Sequence, residues 1–310
     1  MSTIFVAIES IRSNVNALNK LGHSFDRVVL ASSRSRAMEE LATTAQTVDA
    51  VLIGIKEKIT PQLLESMPRL RAIASISTGT DHIAIEAAEQ RDIALLTAPG
   101  ANSRAVAEHA LTLALALTKQ VFPGNRACRT GLDWAGLPHL PRRLSGQQVG
   151  LVGAGATARE LIQLLRPFKC LIKISTRDAA THSDLSDSVD FCSLEEVFSV
   201  CSVVSLHLPL TSKTLGLIDG KLIKRLPEGA ILINVSRLKL FDIPSVLAAL
   251  DERADIRLGI DDLSLKEAGF CKLGSDRILT TPHVAGLTVE TLRRMEDIVV
   301  DKLVGLFHRG

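Results

Sequence analysis

One run of residues restricts the possible folds of this chain more than any other. Residues 149–158 read Val-Gly-Leu-Val-Gly-Ala-Gly-Ala-Thr-Ala, so residues typical of a buried strand lead directly into a Gly-x-Gly-x-x-Ala turn. The residues that follow, 158–165, are typical of a helix. Gly153 permits a tight turn, Gly155 lets a phosphate approach the backbone, and Ala158 is small enough for the helix to pack on the strand. The pattern predicts a strand–turn–helix unit whose helix N-terminus binds the pyrophosphate of a dinucleotide.

Composition favours parallel sheets and argues against nucleic acid. Hydrophobic residues make up 46% of the chain and aromatic residues only 3%, so the core consists of Leu, Ile, Val and Ala. Parallel strands buried on both faces show such continuous aliphatic runs. The formal net charge of +2 is too small to indicate nucleic-acid binding. The shortage of aromatic residues also weighs against base stacking.

The cysteines and the apolar segments bear on the cellular compartment of the protein. The five cysteines are odd in number and lack the close spacing of metal ligands, so we expect free thiols, a reducing compartment and no metal site. No uninterrupted apolar stretch is long enough to span a membrane, and residues 1–20 lack the layout of a signal peptide. We therefore expect a cytoplasmic protein that does not bind membranes.

Strand-like and helix-like segments alternate along the chain. Apolar strand-like runs recur from Thr3 to about Leu96, and a second series begins at Val149 after a long apolar helix. Repeated strand–helix units with right-handed crossovers form doubly wound parallel sheets. The second series predicts an α/β protein with two such sheets and a cleft between them.

Several short motifs occur in a fixed order besides the glycine fingerprint at 144–158. They are Ser-Ile-Ser-Thr-Gly-Thr-Asp-His-Ile at 75–83, Asn102 with Val-Ala-Glu-His at 106–109, Ser-Leu-His-Leu-Pro-Leu-Thr at 205–211, Ile-Leu-Ile-Asn-Val-Ser-Arg at 231–237 and Thr-Pro-His-Val-Ala-Gly at 281–286. With these motifs, nearly the whole chain resembles the D-isomer-specific 2-hydroxyacid dehydrogenases, the family of phosphoglycerate, glyoxylate/hydroxypyruvate and formate dehydrogenases.

The resemblance implies a domain organisation and a set of cofactor contacts. Residues 1–99 and 287–310 are expected to form a discontinuous, flavodoxin-like substrate-binding domain, and residues 100–286 a Rossmann-like dinucleotide-binding domain. Asp261 is expected to bond the nicotinamide carboxamide. Besides Asp261 and the two glycines, the expected cofactor-binding residues are Ala156, Thr157, Ser175, Thr176, Arg177, His207, Pro209, Thr214, Val235 and Ser236.

The end of the second strand in the dinucleotide-binding series favours a phosphorylated ribose. An NAD-specific site usually places an acid about 20 residues beyond the glycines, where it bonds the ribose hydroxyls. Here Ser175, Thr176 and Arg177 occupy this place, and Asp178 is the first acid. Two hydroxyls and a guanidinium suit a 2′-phosphate, so we predict that NADP(H) is preferred and NAD(H) is possible. The alternative is a solvated Arg177 with Asp178 on the ribose.

Two residues at predicted strand ends are similar to the family's catalytic residues. His283, in Thr-Pro-His-Val-Ala-Gly, resembles the acid/base histidine, and an imidazole titrates near neutrality. Arg237 follows the predicted strand 230–235, and its planar guanidinium can grip a carboxylate and a carbonyl together. The alternatives are a loop histidine without a role and a surface arginine at a strand end.

A turn in the first domain is the expected contact for the substrate carboxylate. Ser77, Thr78 and Gly79 follow a predicted buried strand, and the resemblance implies that backbone N–H groups there help to bind the carboxylate. An ordinary strand-to-helix turn, with Asp81 as a helix cap, explains the same residues.

Two segments depart from the family's pattern. The family has a glutamate behind the histidine in a segment Asp-Val-Phe-x-x-Glu-Pro, and residues 260–268 here read Ile-Asp-Asp-Leu-Ser-Leu-Lys-Glu-Ala. If Asp261 takes the aspartate position, Lys266 falls on the glutamate position and Glu267 aligns only after a one-residue shift. We take Glu267 as the candidate catalytic carboxylate, because a lysine would disfavour a protonated imidazole. Leu238 replaces the usual glycine after the arginine, which predicts added bulk beside the site.

These features together predict a reductase of a small 2-keto acid such as glyoxylate or hydroxypyruvate, which yields the D-2-hydroxy acid. Hydride would come from the nicotinamide and the proton from His283, while Arg237 would anchor the substrate. One alternative is a dinucleotide-binding regulator or scaffold of the same fold with weak or no turnover. Another is an enzyme of the same fold with a divergent redox substrate.

The apolar helix predicted at 105–117 bears on the oligomeric state. Its Ala and Leu residues lie on more than one face, so the helix must be buried. In the family this helix lies near the dimer contact, which implies a homodimer. An internal helix is the alternative.

Overall fold

The structure is a computed structural model that describes residues 1–274 and 276–308. The chain divides into a first unit, Met1–Asn102 with Leu287–Gly310, and a second unit, Ser103–Gly286. The domain organisation expected from the sequence, with changes of domain between residues 99 and 100 and between residues 286 and 287, stays a prediction.

Among the described residues, the strands of both units pair in parallel. The strands of the first unit are β1 (Thr3–Val6), β2 (Arg27–Leu30), β3 (Ala50–Ile53), β4 (Ala72–Ser75) and β5 (Ala94–Leu96). Those of the second unit are β6 (Gln148–Val152), β7 (Leu171–Ser175), β8 (Asp190–Phe191), β9 (Val203–Leu206), β10 (Ile231–Asn234), β11 (Arg257–Asp261) and β12 (Ile278–Thr281).

Helices connect these strands in both units. Up to the glycine turn they are α1 (Val15–Ser24), α2 (Ala37–Thr44), α3 (Pro61–Glu65), α4 (Ile85–Glu89), α5 (Ser103–Thr118) and α6 (Val121–Arg129). After it come α7 (Ala156–Leu165), α8 (Leu194–Val200), α9 (Gly220–Arg225), α10 (Ile243–Glu252) and α11 (Val289–Phe307). Short 3₁₀ helices fill several connections, and Leu238–Leu240 is one of them.

The first unit is a five-stranded sheet with the order β2-β1-β3-β4-β5. Successive residues of β1 enter opposite core clusters: Ile4 and Val6 pack on one face, and Phe5 packs on the other. Side chains alternate across a strand, so both faces of this sheet are covered by helices. The predicted doubly wound parallel sheet is confirmed, and the strand order is the flavodoxin-like one.

The second unit is a seven-stranded sheet with the order β12-β11-β10-β9-β6-β7-β8. In β10, Ile231 and Ile233 enter one core cluster and Leu232 enters the other. This sheet is therefore also buried on both faces, as the aliphatic composition predicts. The order reverses between β6 and β9, and ligands of such sheets bind at the carboxyl ends of the strands beside this point.

Helix α5 covers one face of the second sheet. It packs on α7, β10 and β11 within the second unit. Eight of its residues are buried, among them Ala107, Ala110 and Leu113. The all-round apolar character of this helix therefore has an internal explanation, which was the alternative to a subunit contact.

Candidate active site

The turn after β6 fits closely between two neighbouring strand ends. Gly153 has a φ of 105°, a conformation that strongly favours glycine. Its N–H donates to the carbonyl of Ser175 at 2.8 Å, at the end of β7. A Cβ at this position would lie 2.6 Å from the carbonyl oxygen of His207, just after β9. A side chain at Gly153 would therefore push the strand ends apart.

The helix N-terminus beyond this turn leaves room for an anion. Apart from the residues next to Gly155 in the chain, no heavy atom of the described residues lies within 4 Å of the position that a Cβ on Gly155 would take. No side chain caps the N-terminus of α7, as is also the case in α2, α4, α6 and α10. The first-turn N–H groups of α7 are thus left for a ligand. Ala156 is exposed, Thr157 is half-buried and Ala158 is fully buried, as helix–strand packing requires.

The end of β7 carries the residues predicted to select the cofactor. Ser175 and Thr176 are half-buried, and Arg177 is exposed. Within residues 1–274 and 276–308, no hydrogen bond or ion pair involves the Arg177 guanidinium. The Asp178 carboxylate accepts the N–H of Ala180 at 3.1 Å, so it supports the following turn. The Lys173 ammonium pairs with Glu196 at 2.9 Å. Arg177 is thus the cation at this strand end that is left for a ligand.

His207 follows β9 beside the glycine turn. Its backbone N–H donates to the carbonyl of Val152 at 2.8 Å. The ring is buried, and neither ring nitrogen has a hydrogen-bond partner. Burial lowers the pKa of His207 from 6.5 to about 4. The imidazole is therefore neutral at physiological pH, and its backbone rather than its charge shapes the site.

The other predicted cofactor contacts lie on the same edge of the sheet. Pro209 is exposed, and its carbonyl accepts the Thr214 hydroxyl at 2.6 Å, which closes the loop after β9. Val235 is buried after β10. The Ser236 hydroxyl donates to the carbonyl of Leu206 at 2.9 Å and ties the ends of β9 and β10 together.

His283 lies in a loop that the end of β11 holds in place. His283 has a φ of 58°, which is unusual for a residue other than glycine. Asp261 is buried, and its carboxylate accepts the Thr281 hydroxyl at 2.6 Å and the N–H groups of Val284 and Ala285 at 2.9 and 2.8 Å. These bonds flank His283 on both sides and stabilise its backbone. Asp261, predicted to bond the nicotinamide, thus also organises the histidine loop.

Arg237 follows β10 on the same edge. Its Nη1 donates to the carbonyl of Ser236 at 2.9 Å, and its own carbonyl accepts Nδ2 of Asn234 at 2.9 Å. Leu238 is 2% exposed, packs in a hydrophobic core cluster and is not among the residues with positive φ. The expectation that Leu238 adds bulk beside the site was wrong, because this side chain fills the core.

The two candidates for the position behind the histidine are both on the surface. Lys266 and Glu267 are exposed. No hydrogen bond or ion pair of Glu267 occurs among the described parts of the chain. The structure therefore does not bring Glu267 to His283.

Sequence reasoning missed two polar residues at this edge, Asp262 and His109. Asp262 accepts the N–H of Leu238 at 3.0 Å, and Nε2 of His109 lies 2.9 Å from the Thr281 hydroxyl. Burial lowers the pKa of His109, and the charge of Asp261 opposes this only partly. Its position at a strand end could have indicated Asp262, because Asp262 directly follows β11, whereas Arg237 and His283 follow the neighbouring strands β10 and β12.

In the first unit, the Ser77–Gly79 turn follows β4. Ser77 is buried, Thr78 exposed and Gly79 half-buried. The Ser77 hydroxyl donates to the carbonyl of Gly79 at 2.6 Å. The Ser75 hydroxyl lies 2.8 Å from the Ser77 hydroxyl and 3.2 Å from Nε2 of His82. Side chains thus shape this turn and leave the backbone to meet a ligand.

Two further classes of site were searched for. Residues 1–274 and 276–308 contain no group of three or more His, Cys, Asp or Glu side chains that could hold a metal ion. In the same residues, we find no helix with the length and apolar character needed to cross a membrane.

Comparisons with known proteins show the family and the fold of the chain. A family model described as D-isomer specific 2-hydroxyacid dehydrogenase, NAD binding domain, matches residues 111–285. The chain is 29% identical over 302 residues to a glyoxylate reductase from Pyrococcus furiosus, covering 95% of this chain and 90% of that protein. It is 29% identical over 286 residues to an (S)-sulfolactate dehydrogenase from Chromohalobacter salexigens, covering 90% of each. A D-lactate dehydrogenase from Aquifex aeolicus, complexed with NAD and lactic acid, matches with a TM-score of 0.84 at 23% identity, covering 100% of this chain and 96% of that one.

Proposed function

The chain belongs to the D-isomer specific 2-hydroxyacid dehydrogenase family, and from that premise we propose that it reduces a small 2-keto acid, such as glyoxylate or hydroxypyruvate, to the D-2-hydroxy acid. Membership makes it an oxidoreductase that uses a nicotinamide dinucleotide. The relatives' names include both a glyoxylate reductase and a sulfolactate dehydrogenase, so the choice of acid is part of the proposal.

One observation carries the proposal. Arg237 and His283 follow β10 and β12, which flank β11 on the carboxyl edge that also bears the glycine turn after β6. A cation for a carboxylate, a titratable imidazole and an anion-binding helix N-terminus therefore lie along one edge of one sheet. Reduction of a keto acid needs these groups.

The residues of this edge fit the chemistry. The open space at Gly155 and the uncapped N-terminus of α7 suit the pyrophosphate of the dinucleotide. A nicotinamide held there would supply the hydride that the keto carbon needs. The imidazolium of His283 donates its proton to the keto oxygen, which becomes the hydroxyl, and leaves a neutral imidazole. Arg237 holds the substrate carboxylate with its planar guanidinium.

For the Ser77–Gly79 turn of the first unit we propose the role that the resemblance implies: its backbone N–H groups donate to the substrate carboxylate. The hydroxyl contacts of Ser77 with Gly79 and Ser75 support this, because they fix the turn without using those N–H groups.

We assign NADP(H) as the preferred cofactor. The support is that Arg177 is exposed at the end of β7, whereas the Asp178 carboxylate is occupied by the Ala180 N–H. A guanidinium left for a ligand attracts a 2′-phosphate. A carboxylate that already caps a turn is poorly placed to bond ribose hydroxyls.

A homodimer is part of the proposal, with the contact in the segment after α5. Large apolar side chains are exposed there at Val121 (51%), Phe122 (56%), Leu132 (55%), Trp134 (72%) and Leu140 (70%). Exposed apolar side chains in such numbers mark surfaces that associate. A second copy of this chain is the partner we commit to, because the family resemblance implies a dimer near this part of the chain.

The decisive experiment is a panel of 2-keto acids with NADPH and with NADH, for the wild type, His283→Ala and Arg237→Ala. We expect turnover of glyoxylate or hydroxypyruvate, and a fall in kcat of about 10²–10⁴ in His283→Ala, the usual contribution of a general acid. His23→Ala, at an exposed histidine of α1, is the matched control. Tight cofactor binding without turnover of any acid would instead support the regulator.

A further inference from the structure

The order of the second sheet places one carboxylate between the two proposed catalytic residues. β11 lies between β10 and β12. Arg237 follows β10 and His283 follows β12, while Asp262 directly follows β11. The carboxyl ends of parallel strands meet at one edge, so Asp262 lies at the position between the guanidinium segment and the imidazole loop.

The contacts of Asp262 fix it to the arginine segment. Its Oδ2 accepts the N–H of Leu238, the residue after Arg237, at 3.0 Å. Its Oδ1 accepts the N–H of Ser264 at 2.8 Å and the Ser264 hydroxyl at 2.5 Å. An ionised carboxylate offers about four lone-pair positions. One position on Oδ2 is therefore left for a further donor.

Asp262 is also coupled to the histidine. Burial alone would raise the pKa of Asp262, but hydrogen bonds from Ser264 and Leu238 and the positive charge of His283 outweigh it, so the pKa lies below its ordinary value. The carboxylate is thus ionised at neutral pH. The ionised Asp262 thus lies close enough to His283 for the two charges to interact.

Three other titratable groups of this edge, Asp261, His109 and Arg237, are less suited to this role. The carboxylate oxygens of Asp261 already accept hydrogen bonds from the Thr281 hydroxyl and from backbone N–H groups. His109 is half-buried, and burial lowers its pKa, which favours the neutral ring. Arg237 is a second cation, which by itself would disfavour an imidazolium.

We propose that Asp262 is the positioning carboxylate of this active site. It stays ionised throughout, offsets the positive charge of Arg237 and of the imidazolium, and fixes the Arg237–Leu238 segment through the Leu238 N–H. It takes the place that sequence spacing assigns to Lys266 or Glu267. This inference rests on the proposed function, in which His283 is the proton donor.

The test compares three variants of the full chain. Asp262→Asn removes the charge with little change of shape, Asp262→Glu keeps the charge, and Glu267→Gln removes an exposed charge of the same segment as the matched control. The pH titration of the His283 ring is followed by NMR without cofactor or substrate, and its signal is assigned by its absence in His283→Ala. We expect His283 to lose its proton at lower pH in Asp262→Asn only.

Kinetics provide the second readout. We expect kcat/KM for keto-acid reduction at pH 8 to fall about tenfold or more in Asp262→Asn, the usual effect of losing a supporting group. The upper pH limit of reduction should move down with it. Glu267→Gln should keep both the rate and the pH profile of the wild type.

Two outcomes would overturn the inference: an unchanged His283 titration in Asp262→Asn, or a shift of equal size in Glu267→Gln. If Asp262→Asn does not fold, the carboxyl carbon of Asp262 is titrated in the wild type and in His283→Asn, where Asp262 should take up its proton at higher pH. Equal titration in the two proteins would also overturn it. A wild type that reduces no keto acid would refute the proposed function, while these titrations would still decide the role of Asp262.

Discussion

The Asp261 carboxylate accepts the backbone N–H of Val284 at 2.9 Å, so the end of β11 holds the residue that follows His283. The same carboxylate bonds Thr281 and Ala285. A buried acid on one strand thereby sets the backbone of a loop that begins on the neighbouring strand. The positive φ of His283 is maintained by these bonds rather than by local sequence.

Replacing Asp261 by Asn should therefore destabilise the fold. At least one donor among Thr281, Val284 and Ala285 would lose its acceptor in a buried place, which costs about 1–3 kcal/mol. Thermal unfolding followed by circular dichroism measures the loss. Asp251→Asn is the control, because Asp251 is exposed on α10, and its melting temperature should match the wild type. Equal melting temperatures for both variants would contradict the role of Asp261.

Substitutions at the two glycines of the turn should have different effects, one on stability and the other on cofactor binding. Gly153→Ala forces an unfavourable φ and a Cβ 2.6 Å from a carbonyl oxygen, so it should lose about 1–3 kcal/mol of stability. Gly155→Ala meets open space and should fold like the wild type. It should nevertheless bind the cofactor roughly tenfold more weakly, equivalent to about 1.4 kcal/mol, because the methyl group occupies the phosphate space. Calorimetric titration and thermal melts separate the two effects.

Arg177 should decide the cofactor preference. Arg177→Ala should weaken NADPH binding about tenfold and leave NADH binding unchanged, since only the 2′-phosphate loses a charge-assisted hydrogen bond, worth about 1.5–3 kcal/mol. Arg225→Ala, at an exposed arginine of α9, is the control. Dissociation constants for both reduced cofactors check this. Equal or tighter binding of NADH by the wild type would refute the preference.

His207 should make stability depend on pH. Its pKa is lowered to about 4 in the folded protein, whereas an unfolded histidine titrates near 6.5. The unfolded state therefore takes up the proton first as pH falls. The free energy of unfolding is therefore highest above about pH 6.5 and decreases as the pH falls to about 4. At pH 5 it is lower by about 2 kcal/mol.

Urea unfolding of the wild type and of His207→Asn at pH 7.5 and pH 5 measures this linkage. The variant should show the smaller loss of stability between the two pH values. His23→Gln, at an exposed histidine of α1, should behave like the wild type. The same pH dependence in all three proteins would rule out a buried neutral His207.

The apolar segment after α5 should control self-association. Trp134→Ser and Leu140→Ser remove the two most exposed of its apolar side chains and should weaken a dimer at least about tenfold, or about 1.4 kcal/mol. Leu171→Ser, at an exposed leucine of β7, should not. Sedimentation velocity over a range of concentrations distinguishes them. A wild type that stays monomeric at all concentrations would exclude the dimer.

Local patterns accounted for the elements and for the cofactor turn. Strands β6 and β10 are continuous aliphatic runs, and both are buried on the two faces of their sheet, as such runs predict. The short edge strands β2 and β8 were not recognised. β2 is exposed or half-buried, and β8 has only two residues, so neither carries the apolar signal of a central strand.

The catalytic edge was predicted only in part. His283 and Arg237 follow predicted strands and could be located by their motifs. The supporting carboxylate could not, because spacing along the chain offered Lys266 or Glu267, and both are exposed. The location of the Leu238 side chain could not be predicted either, since only the packing of the second unit shows that it lies in the core.

Periodicity, glycine positions and short motifs act over a few residues, so they predict the two doubly wound sheets, the glycine turn and the motifs that contain Arg237 and His283. Which carboxylate bonds which residue depends on the tertiary structure. Asp261 bonds the histidine loop, and Asp262 bonds the Leu238 N–H, because β11 lies between β10 and β12. Strand order brings together residues that are far apart in the chain, and no local pattern records which strands become neighbours.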